Sequence, residues 1–123
     1  MVTIYSISLS NVQLDHNLSV KITDFGISHT SLTNTISVGN PRWMAPEYFD
    51  YTKQHGPEGD VFGFGVILWE LVSKQHPWGL EHEHSRIISD ILSGKRLEVP
   101  NTCPKKLAEI IHDCWKQGKK YKL

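Results

Sequence analysis

Gly59-Asp60-Val61-Phe62-Gly63-Phe64-Gly65-Val66-Ile67-Leu68-Trp69-Glu70-Leu71 is the stretch that decides the fold. Apolar side chains run from Val61 to Val72 almost without a break, and Pro57 upstream is a residue that can open a helix. A helix apolar on nearly every side expects neighbours on every side. The stretch therefore predicts a central buried helix in a mainly α-helical fold. It is too short to cross a bilayer, and it contains Glu70.

Moving toward the C-terminus, Pro77 and Gly79 end this pattern, and Ile87, Ile88, Ile91 and Leu92 then form an apolar helical face that Gly94 closes. A last helix is predicted from near Pro104. Its Leu107, Ile110, Ile111, Cys114 and Trp115 keep the i, i+3, i+4, i+7, i+8 spacing, and Gly118 is a plausible stop. Toward the N-terminus, Val12-Gln13-Leu14 and Val20-Lys21-Ile22 alternate apolar and polar residues around the turn formers Asp15-His16-Asn17, which predicts a short β-hairpin. Between hairpin and helices, Ser28, Thr30, Ser31, Thr33, Thr35 and Ser37 fill a stretch without periodicity, read as a long loop.

At 123 residues the chain is one domain at most. Lys+Arg and Asp+Glu both number 13, a balance that gives no support for bulk electrostatic binding to nucleic acid or membrane. The tail lysines Lys116, Lys119, Lys120 and Lys122 read as a solvated helix end. Cys103 and Cys114 form no disulfide framework and lack zinc-type spacing, which fits a reducing compartment. His82 and His84 stand two apart, on different faces of an expected surface helix, and no cysteine lies near. Residues 1–6 show no basic segment leading into a long apolar core, so no signal peptide is expected and the cytoplasm is the default.

Two motifs carry chemistry. Asp24-Phe25-Gly26 directly follows the strand Val20 to Ile22. A carboxylate at a strand end beside a glycine hinge can hold a divalent metal against a phosphate, although a turn-capping Asp fits the tripeptide as well. Gly39-Asn40-Pro41-Arg42-Trp43-Met44-Ala45-Pro46-Glu47 lies downstream, beyond the hydroxyl-rich loop. In this order and spacing, Asp-Phe-Gly, the loop and Ala-Pro-Glu resemble the activation segment of a eukaryotic protein kinase. The stretch Gly59 to Leu71 resembles the buried helix that follows, and His76-Pro77-Trp78 and Cys114-Trp115 match later markers. Trp-Met-Ala-Pro-Glu with Val-Ile-Leu-Trp-Glu-Leu looks most like the tyrosine-kinase-like branch, whose members mostly phosphorylate Ser and Thr.

The resemblance implies a fold and a site. The fold is the large, C-terminal lobe of a protein kinase, incomplete, with a short β-hairpin at its start. Residues 1–9 are a divergent N-terminal segment, and residues 10–123 a partial kinase domain. Ser10-Asn11-Val12-Gln13-Leu14-Asp15 is similar to the end of the catalytic loop, so Asn11 and Asp24 would hold Mg²⁺ bridging the ATP phosphates; without Asp24 downstream, Asn11 would read as a turn residue. Gly39, Asn40, Pro41, Arg42 and Trp43 would position substrate, while Phe25, Gly26, Ala45, Pro46, Glu47 and Asp60 would be structural. Thr33, Thr35 and Ser37 are candidate phosphosites, where phosphate could order the loop by pairing with Arg or Lys; the plainer reading is a solvated linker.

Several positions depart from the pattern. Counting back from Asn11 puts Ser6 where the family has its catalytic Asp, Ile4 at its His and Tyr5 at its Arg, while Ser8 stands where a Lys is frequent. No catalytic residue is therefore assigned. Asn40 replaces a Thr, and Lys122 stands where an Arg would pair bidentately with Glu47. The 123 residues hold no Gly-x-Gly-x-x-Gly loop, no Val-Ala-Ile-Lys strand and no partner Glu helix. The helices that pack on the central helix from its N-terminal side in the family are missing too. Each large apolar side chain left in water forgoes roughly 1.5–3 kcal/mol.

The implied function is ATP-dependent phosphorylation of protein Ser or Thr, with these residues inactive alone. The alternative is a non-catalytic, pseudokinase-like module that docks on a protein partner. In either case the expected partner is a protein, not nucleic acid or membrane. A truncated gene copy or a misplaced gene start accounts for the divergence before Ser10 better than a genuine short chain does.

Overall fold

The computed structural model describes residues 8–23, 40–50, 52 and 56–116. The fold is mainly α-helical with a hairpin at its start, the class predicted from the sequence. Strands β1 (Val12–Leu14) and β2 (Val20–Ile22) pair antiparallel, with Val12 opposite Ile22 and Leu14 opposite Val20. Asp15 builds the connection. Its Oδ1 accepts from the backbone N–H groups of Asn17 at 2.8 Å and Ser19 at 2.9 Å, the local bonding that makes Asp a turn residue.

Three helices follow: α1 (Glu58–Ser73), α2 (His84–Leu92) and α3 (Lys105–Cys114). Pro57 caps α1, and Glu58 and Asp60 in its first turn suit the positive end of the helix dipole. The helix α1 forms the centre of the core. Phe62, Val66, Ile67 and Trp69 meet Ile87 and Ile91 of α2, Ile111 and Cys114 of α3, and Trp115 just beyond it. Helices α1 and α3 approach closely at Gly65, where a Cβ would fall 2.6 Å from Cys114 Cβ and 2.9 Å from Trp115 Nε1. The segment after α2 is fastened by two long side chains. Trp69 Nε1 donates to the Glu98 carbonyl at 2.8 Å. The Arg96 guanidinium lies 5.1 Å from the Phe62 ring centroid and donates to the carbonyls of Trp115 at 3.2 Å and Ile91 at 3.1 Å.

The structure corrects four details of the sequence reading. The helix α1 is not enclosed on every side: Phe64 is 47% and Leu71 57% exposed, and with half-buried Val61 and Leu68 they form one open apolar stripe. On α2 and α3 the core takes Ile87, Ile91, Ile111 and Cys114, while Leu92 and Ile110 face out. Each lies one residue, or about 100° of helix, from a buried isoleucine. The helix α3 ends at Cys114, not near Gly118, because Trp115 leaves helical geometry (φ −97°, ψ 2°) and turns its indole into the core. Finally, α2 begins at His84. His82 precedes the helix because Glu83 is extended (φ −70°, ψ 149°), so the two histidines share no helix.

Among the described residues, no helix is long and apolar enough to cross a membrane.

Candidate functional site

The segment 40–50 is built by two prolines. Pro41 opens a 3-10 turn, Pro41–Trp43, and Pro46 opens another, Pro46–Phe49. Proline suits the first position of such a turn because the N–H it lacks would find no partner there. Asn40 caps the first turn: its Oδ1 accepts from Arg42 N at 3.1 Å and from Arg42 Nη1 at 3.3 Å. Tyr48 closes the second turn against α1. Its ring occupies the space that a side chain at Gly59 would need, and its hydroxyl donates to the Gly56 carbonyl at 3.3 Å.

Arg42 is 5% exposed, an unusual burial for a guanidinium. Its Nε donates to the Pro77 carbonyl at 3.1 Å, and its Nη2 to the carbonyls of Gly79 at 3.0 Å and His82 at 3.3 Å. Among the described residues every oxygen it reaches is neutral, so carbonyl and amide dipoles there, rather than a carboxylate, meet its charge. Trp43 Nε1 donates to Glu70 Oε1 at 2.6 Å. Burial raises the pKa of Glu70, and this hydrogen bond draws it partly back. His76 meets Trp43 edge-on at 5.8 Å between ring centroids. Its pKa is lowered, first by burial and then by the charge of Arg42.

Of the residues expected to position substrate, Pro41, Arg42 and Trp43 are buried and Asn40 is half-buried. These side chains are spent inside the protein, where they hold the backbone of the segment in shape. Among the expected structural residues, Ala45 and Pro46 are buried; Glu47 and Asp60 are half-buried, with Asp60 in the first turn of α1.

Asn11 ends a 3-10 turn, Leu9–Asn11, with its N–H on the Ser8 carbonyl at 3.0 Å. Its own carbonyl accepts from Thr23 twice, from the N–H at 2.7 Å and from Oγ1 at 3.3 Å. The hairpin thus returns the chain to Asn11 one residue before Asp24. Ser8 is buried, with its hydroxyl 2.7 Å from that of Ser10. Ser6, Asp24, Phe25, Gly26, Thr33, Thr35, Ser37, Gly39 and Lys122 lie outside the described residues.

Sequence reasoning missed the parts played by Glu70, His76 and Tyr48. The Asn-Pro pair at 40–41 was a legible cap signal. The bond from Trp43 to Glu70 spans 27 residues and had no local sign.

The family model for protein tyrosine and serine/threonine kinases matches residues 6–122. The chain is 38% identical over 109 residues to serine/threonine-protein kinase CTR1 of Arabidopsis thaliana, covering 85% of this chain and 13% of that protein. It is 37% identical over 115 residues to mitogen-activated protein kinase kinase kinase zak-1 of Caenorhabditis elegans, covering 89% and 15%. With probable serine/threonine-protein kinase pats1 of Dictyostelium discoideum it shares 35% over 113 residues, covering 89% and 4%. The chain therefore spans only a small part of each of these relatives.

Proposed function

The chain belongs to the protein tyrosine and serine/threonine kinase family, and from that membership we propose that residues 10–123 are the large-lobe part of a protein Ser/Thr kinase domain of the tyrosine-kinase-like branch. The relatives named as Ser/Thr kinases and the Trp43-Met44-Ala45-Pro46-Glu47 form support that branch. In this reading Asn11 and Asp24 hold Mg²⁺ through an amide and a carboxylate oxygen, hard donors of the kind the ion prefers. When bound there, the ion neutralises charge on the ATP phosphates. The backbone of 39–43 receives the protein substrate, and phosphorylation at Thr33, Thr35 or Ser37 orders the loop before it. The observation that supports the pairing most is the two hydrogen bonds that Thr23 donates to the Asn11 carbonyl, at 2.7 and 3.3 Å, next to Asp24 in the chain.

These 123 residues alone transfer no phosphate. A Ser hydroxyl at position 6 cannot take up the substrate proton at neutral pH, and the loss of a general base costs about 10²–10⁴ in rate. Ser8, buried against Ser10, offers no cation for the transferred group. NMR titration with Mg²⁺ and ATP should shift the Asn11 side-chain amide resonances, and Asp24→Ala should abolish the shift. Asn11 signals that stay in place would overturn the metal assignment.

The open stripe of Phe64 and Leu71, with exposed Leu14 and Val20 on the hairpin, favours a second reading: a non-catalytic module that docks on a protein. Cooperative folding of the purified chain with no nucleotide-induced rise in melting temperature would select it.

A further inference from the structure

Arg42 ties together two parts of the chain that lie 35–40 residues apart. The acceptors it meets on the loop after α1 are backbone carbonyls: Pro77 at 3.1 Å, Gly79 at 3.0 Å and His82 at 3.3 Å. They converge because the chain curls there, with Trp78 at φ 64° and Gly79 at φ 75°. Left-handed backbone is an outlier for a bulky residue such as Trp78, and it persists only where the surroundings over-determine it. The same loop begins beside Trp43, whose ring His76 meets edge-on at 5.8 Å. Trp43 in turn donates to Glu70 at 2.6 Å, one helical turn before Lys74 ends α1 and the loop departs. The segment 40–43, the end of α1 and the loop thus form a closed ring of contacts.

We propose that Arg42 is a positioning residue through which the loop 76–82 sets the shape of the 40–43 backbone. For its bearing on substrate the inference rests on the reading that 39–43 receives the protein; the coupling itself does not. Direction distinguishes this role from plain packing. An apolar side chain in the same place would hold the segment by burial alone, which is non-directional and tolerates rotation and slip. A guanidinium presents its donors in a rigid fork, and hydrogen bonds weaken steeply when bent. A displaced loop carbonyl therefore pulls on Arg42. Arg42 is also fastened at its own root, since Asn40 Oδ1 accepts from its backbone N–H at 3.1 Å and from its Nη1 at 3.3 Å. The next residue is Trp43, so a shift of the loop reaches the bond to Glu70. On the loop side the cage is main chain alone, so it reads the path of the loop and not its side chains.

The test is heteronuclear NMR on the full isotope-labelled chain, following two assigned indole N–H signals. Trp43 reports the coupling; Trp69, bonded to the Glu98 carbonyl at 2.8 Å, reports the core at large. Arg42→Ala should shift the Trp43 signal and speed its hydrogen exchange at least about tenfold, with the Trp69 signal in place. Free guanidinium at about 10 mM, far below the range that unfolds proteins, should refill the cage and restore the Trp43 signal. Tetramethylammonium, a cation without N–H donors, should not. Gly79→Val puts a β-branched residue at φ 75°, disturbs the cage from the loop side and should move Trp43 likewise. Combined with Arg42→Ala it should add nothing, because that link is already cut. Should Arg42→Ala lose the melting transition, Gly79→Val alone carries the test. A Trp43 signal that neither variant moves overturns the proposal. So do additive shifts, which would route the coupling through His76, equal movement of Trp69, and equal rescue by tetramethylammonium. Asn11 signals unmoved by Mg²⁺ and ATP would remove the kinase reading and leave these results unchanged.

Discussion

Arg42→Met tests how the segment 40–43 is held. The substitution keeps an unbranched side chain of similar reach and removes the hydrogen bonds to Pro77, Gly79, His82 and Asn40. A hydrogen bond to a charged group contributes about 1.5–3 kcal/mol, but the four are not additive. The carbonyls of Gly79 and His82 sit in a partly exposed loop and can regain water, whereas that of Pro77, a fully buried residue, cannot. Against the loss stands the guanidinium's own desolvation, which Met no longer incurs. No charge is stranded when the acceptors are neutral, so the net should be about 1–3 kcal/mol, the cost of leaving the buried Pro77 carbonyl without a donor. Set against a whole-domain stability of about 5–15 kcal/mol, that is a large fraction. Urea unfolding followed by far-ultraviolet circular dichroism should show a lower midpoint at unchanged slope. Arg42→Lys, which keeps the charge but not the planar fork, should lose about half as much. A loss for Arg42→Met under about 1 kcal/mol would mean that the carbonyl cage contributes little, and the reasoning would fail.

Two further outcomes follow from the core and from Trp43. Gly65→Ala should destabilise by about 1–3 kcal/mol in the same urea experiment, because the new methyl meets Cys114 Cβ at 2.6 Å and α1 must move from α3; an unchanged midpoint would refute the close packing. Glu70 binds its proton more tightly in the folded state than in the unfolded chain, so its contribution is full below the unfolded value of 4.5 and is lost as pH rises through the raised folded value. Glu70→Gln keeps an acceptor for Trp43 without the charge. It should melt above the wild type at neutral pH, with the gap closing as pH falls toward 4.5; a gap independent of pH would contradict the shift.

Local pattern carried much of the fold. The hairpin strands, the start of α3 at Pro104 and the extent of α1 all follow from alternation, helical spacing and proline placement. Periodicity could not decide between adjacent apolar residues. Ile91 and Leu92 both fit the stripe, and only the position of α1 determines which is buried. The site was less legible still. Arg42 is an unremarkable residue in a loop until the segment 77–82, some 35–40 positions away, folds over it. The sequence around His82 reads as helix because nothing in its neighbours announces that Glu83 is extended. For the proposed magnesium ligands, the hairpin register brings Thr23 to Asn11, a contact across 12 residues that strand alternation foreshadows.

The most direct trial of the account is a transfer assay with radiolabelled γ-phosphate, a generic protein acceptor and the purified 123-residue chain beside its Asp24→Ala variant. Equal background counts from both are predicted, since Ser6 offers no carboxylate to the acceptor hydroxyl. Incorporation by the wild-type chain well above that of the variant would contradict the account.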